Sequence, residues 1–255
     1  STRCSCGGMG FTQSVLRLQW YVSPGFLSRG SPAKEVPMGW AGSGALIAWH
    51  DVEEGRETEY LDWHSHEHMQ ERLAIPGFLH GRRYSVMGSG PQFLILYTVK
   101  VSDVFTSQIY LERLNHPSEW TQQVMPALRN MNRSLCRVEA SSGFGAGRYL
   151  QTVRFSPEQG QEAHLRGVLT SEAQLLAAQR GLCAVHLLIV DRDRSRTPTR
   201  EAALRGGEDA VADWVLLVEG YDEAVVTQDR SGMLHQSGAA PEIVANLYRI
   251  DHISL

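Results

Sequence analysis

One short stretch of the chain concentrates groups able to move protons: Tyr60, His64, His66, Glu67, His68 and Glu71. On a helix, at about 100° per residue, Tyr60, His64, Glu67, His68 and Glu71 fall within an arc of roughly 100°. A face with two imidazoles and two carboxylates suits general acid–base work, because a carboxylate one turn away orients a ring and raises its basicity. Three readings are open. In the first, His68, assisted by Glu67 or Glu71, is the general base on a small substrate, and His64 orients or protonates it. In the second, His64, Glu67 and His68 match H-x-x-E-H, the inverted zinc-hydrolase motif, and His64 and His68 share a divalent ion such as zinc. In the third, the face is polar helix surface turned to solvent or a partner, and the chain is a non-catalytic ligand-binding or assembly protein.

Neighbouring segments offer substrate contacts. His80, Arg82 and Tyr84 alternate onto one face of a predicted strand, and His50 lies on another strand opposite in sense to Trp49. Facing a cavity, His50, Arg82 and Tyr84 would bind a carbonyl or carboxylate, with Tyr60 and Trp120 as aromatic walls. The nucleophile elbow G-x-S-x-G, a G-x-G-x-x-G opening a βαβ unit and a P-loop are all absent from the sequence, which disfavours a serine esterase, a nicotinamide enzyme and an ATPase.

The elements that must position these residues follow a regular order. Strands are predicted at 45–51, 78–87, 93–101 and 133–140, a helix at 57–75 ended by Pro76-Gly77, and helical pieces at 103–114 and 118–129. The βαββαβ order then recurs: strands at 147–155, 182–191, 213–221 and 245–254, helices at 159–180 and 222–235, and an arginine-rich loop at 192–208, expected to be solvated and mobile. The fold expected is α+β: two ferredoxin-like repeats, 44–142 and 143–255, forming a single-chain barrel of the dimeric α+β type. Residues 1–43 read as an extension, with a short strand or helix at 15–22. Two sheets packed face to face would bury their bare faces, and the pocket is expected between them. Aligning Gly181 with Gly77 puts Val168, Ser171, Glu172 and Leu175 where the first repeat has His64, Glu67, His68 and Glu71. The second helix lacks the imidazoles, so the first repeat is expected to be the active half and the second the scaffold.

The segment carrying Asp62-Trp63-His64, Glu67-His68, Glu71-Arg72-Leu73, Pro76-Gly77-Phe78 and Arg82-Arg83-Tyr84, with Tyr110-Leu111 and Glu119-Trp120-Thr121, resembles the EthD-like branch of the dimeric α+β barrel superfamily. The resemblance runs to about residue 140 and is only topological beyond it. It implies a hydrophobic cavity against one sheet face. The superfamily's activities include cofactor-free monooxygenases, muconolactone-type isomerases, polyketide cyclases and haem enzymes, so the resemblance supports fold more than reaction. The branch often has an aromatic residue where His64 stands. The combined expectation is a cofactor-free enzyme acting on a hydrophobic carbonyl, lactone or aromatic compound as lyase, isomerase, hydrolase or oxygenase, with haem a lesser alternative to a divalent metal.

Composition fits this picture. The chain has 255 residues, 42% hydrophobic and 20% charged, with a formal charge of −4. It carries no basic stripe of the kind that binds nucleic acid and no apolar run long enough for a bilayer. Of four cysteines, Cys4 and Cys6 are too close for a standard zinc pair, and Cys136 and Cys183 sit in strand-like runs as expected buried thiols. A cytoplasmic location, a small-molecule substrate and a compatible homodimer complete the expectation, with no nucleic-acid or membrane partner.

Overall fold

The computed structural model describes residues 39–206 and 209–255. Of the extension expected at 1–43, residues 1–38, with the element at 15–22 and the Cys4–Cys6 pair, lie outside the described residues. The eight strands are β1 (Gly44–Val52), β2 (Phe78–Met87), β3 (Phe93–Val99), β4 (Leu128–Gly143), β5 (Tyr149–Pro157), β6 (Leu182–Val190), β7 (Trp214–Gly220) and β8 (Ala239–Ser254). They close an antiparallel barrel in the order β1-β3-β2-β8-β5-β7-β6-β4. Within it the first four strands run β4-β1-β3-β2 and the last four β8-β5-β7-β6, the same order twice.

The fourth strand of each half is longer than the sequence reading, at 16 residues. The extra length closes the barrel. β4 pairs with β1 through Arg137 and then with β6 from Cys136 to Gly143. β8 likewise pairs with β5 through Arg249 and with β2 from Leu247 to Ser254. Each half thus supplies the partner for the other's edge, which removes the exposed strand edges an isolated half would carry.

Period-2 alternation sorts the side chains. Ala45, Ile47 and Trp49 point into the barrel and join Tyr84, Leu94, Leu150, Leu217 and Tyr248 in one buried cluster. Trp49 Nε1 donates to Thr152 Oγ1 across it at 3.3 Å. The expected pocket between the two half-sheets is therefore corrected: large side chains fill that space. The alternate residues face outward and are covered by helices. On the second half Leu165, Leu169 and Ala173 of the helix Glu162–Ala177, spaced four apart, seal the outer sheet face. On the first half the cover is the histidine helix with Gln108–Asn115 and Glu119–Val124. Gly77 and Gly181 end the two long helices with φ of 100° and 98°, left-handed values that a side chain would oppose.

The arginine-rich loop departs from expectation. It folds into two short helices, Arg192–Ser195 and Arg200–Leu204, capped by Asp191 and Thr199. Glu201 is buried there at 4% exposure. The helix predicted at 222–235 is split into Glu223–Val226 and Ser231–Gln236. No helix among the described residues is long and apolar enough to cross a membrane.

Candidate active site

The histidine helix is α over Glu57–Trp63, a π turn over His64–His68, and α again over Met69–Leu73. The amide of Met69 donates to the carbonyl of His64, five residues back. In a regular α-helix residues four apart drift about 40° around the axis, and a wider π turn offsets that drift. Tyr60, His64, His68 and Arg72, each four residues on, are consequently all buried and all line one cavity. Single π turns recur at functional sites. Allowing one inserted residue at the π turn, a count back from Gly77 and Gly181 sets Tyr60, His64 and Met69 level with the buried Leu165, Leu169 and Ala173 of the second helix. At the first two of these positions a phenol and an imidazole stand where the second helix has leucines.

The cavity lies between this helix and the outer face of β1, β3 and β4, with a volume of about 60 Å³. Leu46, Ala48, Ile95, Leu128 and Met131 form apolar walls. Polar groups come from His50 of β1, Tyr97 of β3, the helix stripe, and Glu201 and Arg205 of the second half. Seven buried polar atoms here have no protein partner: both nitrogens of His50, the hydroxyls of Tyr60 and Tyr97, His64 Nε2, His68 Nδ1 and one terminal nitrogen of Arg72. An unsatisfied buried polar group costs about 1–3 kcal/mol, so seven together rival the whole stability of a domain, about 5–15 kcal/mol. Such a lining suits polar contents, water or the polar end of a ligand.

Burial decides the protonation states. His64 and His68 are held well below the usual imidazole range by desolvation first, then by Arg83 beside His64 and Arg72 beside His68. His50 is lowered to about 3 by burial and then by Arg205. Burial pushes the phenols of Tyr60 and Tyr97 upward. The site therefore presents three neutral rings and two protonated phenols at neutral pH. The His64 and His68 ring centres are 5.7 Å apart, and those of His50 and Tyr60 5.2 Å.

The guanidiniums are fixed from outside the cavity. Arg72 donates to both oxygens of Glu201 at 2.5 and 2.6 Å. Arg83, 6% exposed, donates to the Leu61 carbonyl, Ser65 Oγ and His64 Nδ1. A guanidinium nitrogen only donates, so His64 Nδ1 accepts and the ring proton sits on Nε2, the unpartnered nitrogen.

The other expected site residues are placed elsewhere. Glu67 accepts from Ser118 Oγ at 2.5 Å and Thr121 Oγ1 at 3.3 Å, at the start of the helix Glu119–Val124. Glu71 pairs with Arg113 at 2.9 Å. Neither carboxylate lines the cavity. Arg82 and Tyr84 are corrected: they point into the barrel, where Arg82 pairs with the fully buried Glu219 at 3.1 Å and Tyr84 belongs to the interior cluster. The register puts Arg83, not Arg82, under the histidine helix. Trp120 is half-buried against the cluster of Val52, Tyr60 and Trp63 and is not in the lining. Sequence reasoning missed Arg72, Arg83, Tyr97, Glu201 and Arg205. Arg72 was accessible from the four-residue spacing, whereas Glu201 and Arg205 come from the other half and leave no local signal.

The donor set does not fit a bound zinc. No group of three or more His, Cys, Asp or Glu side chains is arranged to hold a metal among the described residues. His64 and His68 are instead flanked by guanidiniums, which oppose a dication. The cavity volume is also far below the few hundred Å³ of ordinary cofactor pockets, so haem does not fit it either.

No family model and no curated protein matches the chain. Solved structures do. An anthrone oxidase-like protein is 15% identical, with a TM-score of 0.58 over 84% of this chain and 93% of its own. A putative monooxygenase from Fusobacterium nucleatum is 12% identical, TM-score 0.55, over 84% and 95%. A putative monooxygenase from Lactobacillus acidophilus is 8% identical, TM-score 0.55, over 83% and 96%. At these identities the likeness defines a class of fold: the ferredoxin-like, dimeric α+β barrel, here closed by one chain.

Proposed function

We propose that this chain is a small-molecule enzyme of oxygenase type that works by proton abstraction, without a bound metal, on an apolar carbonyl or phenolic compound. The observation that carries the reading is the set of unpartnered polar atoms converging on one apolar-walled cavity. The names of the similar structures, anthrone oxidase-like and monooxygenase, agree with it. The EthD-like resemblance of the histidine segment and the duplication of one ancestral unit, with the acid–base groups on the first copy, belong to the same reading.

Neutral His68, with neither ring nitrogen engaged by the protein, takes a proton from a C–H or O–H beside the substrate oxygen. The oxyanion formed accepts from His64 Nε2–H, Arg72 and the phenols of Tyr60 and Tyr97. Donors already in place where charge develops stabilise it strongly. The carbanion form reduces dioxygen and combines with it to give a peroxide, which takes back the proton from His68. Loss of water then leaves a new carbonyl, so one CH₂ and one O₂ become one C=O and one H₂O. Glu67 and Glu71 act at a distance, by holding the helix against its neighbours.

The test is oxygen uptake with anthrone as probe. The wild-type protein is expected to consume oxygen and to exchange the probe's methylene protons in heavy water. His68→Ala is expected to lose at least about 100-fold of both rates, the usual scale for an acid–base group, with an unchanged melting temperature. Wild-type protein that neither exchanges nor oxidises the probe, or a His68→Ala variant at full rate, overturns the proposal.

A further inference from the structure

A second, larger space adjoins the cavity. It is an open groove of about 840 Å³ lined by Arg133, Arg196, Thr197, Thr199, Arg205 and Asp209, among others. Arg133 and Arg205 line both spaces. The two differ in kind. The inner cavity is far smaller than ordinary ligand pockets of about 300–1,000 Å³, and the groove falls within that range. A compound reacting in the cavity has room there for its reacting end only, and the groove, which shares Arg133 and Arg205 with the cavity, is the adjoining space of a size to take the remainder.

The groove's charge says what that remainder is. Asp209 neutralises Arg205 through two hydrogen bonds. Arg133 donates to the phenol of Tyr110 at 2.5 Å and meets no carboxylate among the described residues. Arg196 is exposed and forms no ion pair among them. Two guanidiniums thus line the groove, and among its described lining residues the one acid, Asp209, is already paired with Arg205. Guanidinium forks match carboxylate, sulfonate and phosphate oxygens.

Resting on the reading of the cavity as the reaction site, we propose that the substrate is an organic anion. Its apolar or aromatic end enters the histidine cavity, and its anionic tail is carried in the groove by Arg133 and Arg196. The second half of the chain, through its 192–205 segment, is then the specificity half rather than a scaffold.

Two fluorescent probes separate the contributions: 8-anilinonaphthalene-1-sulfonate and N-phenyl-1-naphthylamine, which share their rings and differ by the sulfonate. The full chain is expected to bind the sulfonate at least about tenfold more tightly than the neutral probe. Arg196→Glu, a change at an exposed side chain, is expected to weaken the sulfonate about tenfold or more and leave the neutral probe unchanged. Equal affinity of the two probes, or an Arg196→Glu variant that binds the sulfonate as wild type does, overturns the inference. The oxygen-uptake result is separate. Charge-dependent binding without turnover of anthrone sustains the anion groove and removes the reaction; turnover without charge-dependent binding does the reverse.

Discussion

The guanidinium of Arg83 donates to Nδ1 of His64 at 3.3 Å from beneath the histidine helix. This contact gives the ring a direction. It confines the proton to Nε2 and opposes a second proton, so His64 enters the cavity as a donor and not as a base. The orientation usually supplied by a carboxylate comes here from a cation, which leaves the imidazole neutral.

Replacing Arg83 by Met frees both the tautomer and the charge of His64. The acid limb of the pH–rate profile is expected to move upward by about one unit as His64 begins to protonate, and kcat to fall about tenfold or more. Arg83→Lys, which keeps the cation, is expected to retain the wild-type limb. A limb unmoved in Arg83→Met removes the assigned role.

Stability is expected to fall steeply in mild acid. The folded-state pKa values of His50, His64 and His68 are lowered by burial, so the unfolded chain binds more protons below about pH 6.5. Stability is full above that pH and is lost as pH falls from there toward the folded values, about 3 for His50. Each ring contributes a slope of up to about 1.4 kcal/mol per pH unit. Denaturant titrations between pH 7 and 5 are expected to show it, with a smaller slope in His50→Phe. An unchanged slope in that variant contradicts the assignment.

Glu201 ties the second half to the first through Arg72, with both side chains about 5% exposed or less. Glu201→Ala leaves a buried guanidinium uncompensated, which costs about 3–5 kcal/mol. Adding Arg72→Met to Glu201→Leu is expected to recover most of that stability while still abolishing proton exchange with the probe. A double variant as unstable as Glu201→Ala would show that the pair itself, rather than an unpaired charge, holds the segment in place.

Arg82 lies on the other side of the sheet, and its substitution separates the two faces. Arg82→Met removes a buried partner of Glu219, which also takes bonds from Gly147 N–H and lies 3.3 Å from His186 Nε2. The melting temperature is expected to drop by several degrees, with probe affinity unchanged. Weakened probe binding at unchanged stability would put Arg82 back among the substrate contacts.

The order of strands and helices was legible in the chain because alternation, helical spacing and the glycines at 77 and 181 are local properties. So was the histidine stripe, since Tyr60, His64 and His68 repeat every four residues. The sequence also showed that the second helix lacks the imidazoles of the first. What it did not decide was which side of the sheet is the site. Arg82 and Arg83 are chemically alike and adjacent, and strand alternation says only that they point to opposite faces. The barrel chose, by filling its interior with Trp49, Tyr84 and Tyr248 and leaving the outer face under the histidine helix for the cavity. Only the tertiary structure brought in Glu201, 129 residues from Arg72. A contact that distant is set by barrel closure, not by any local pattern, because it forms only when both halves share one continuous ring of strands.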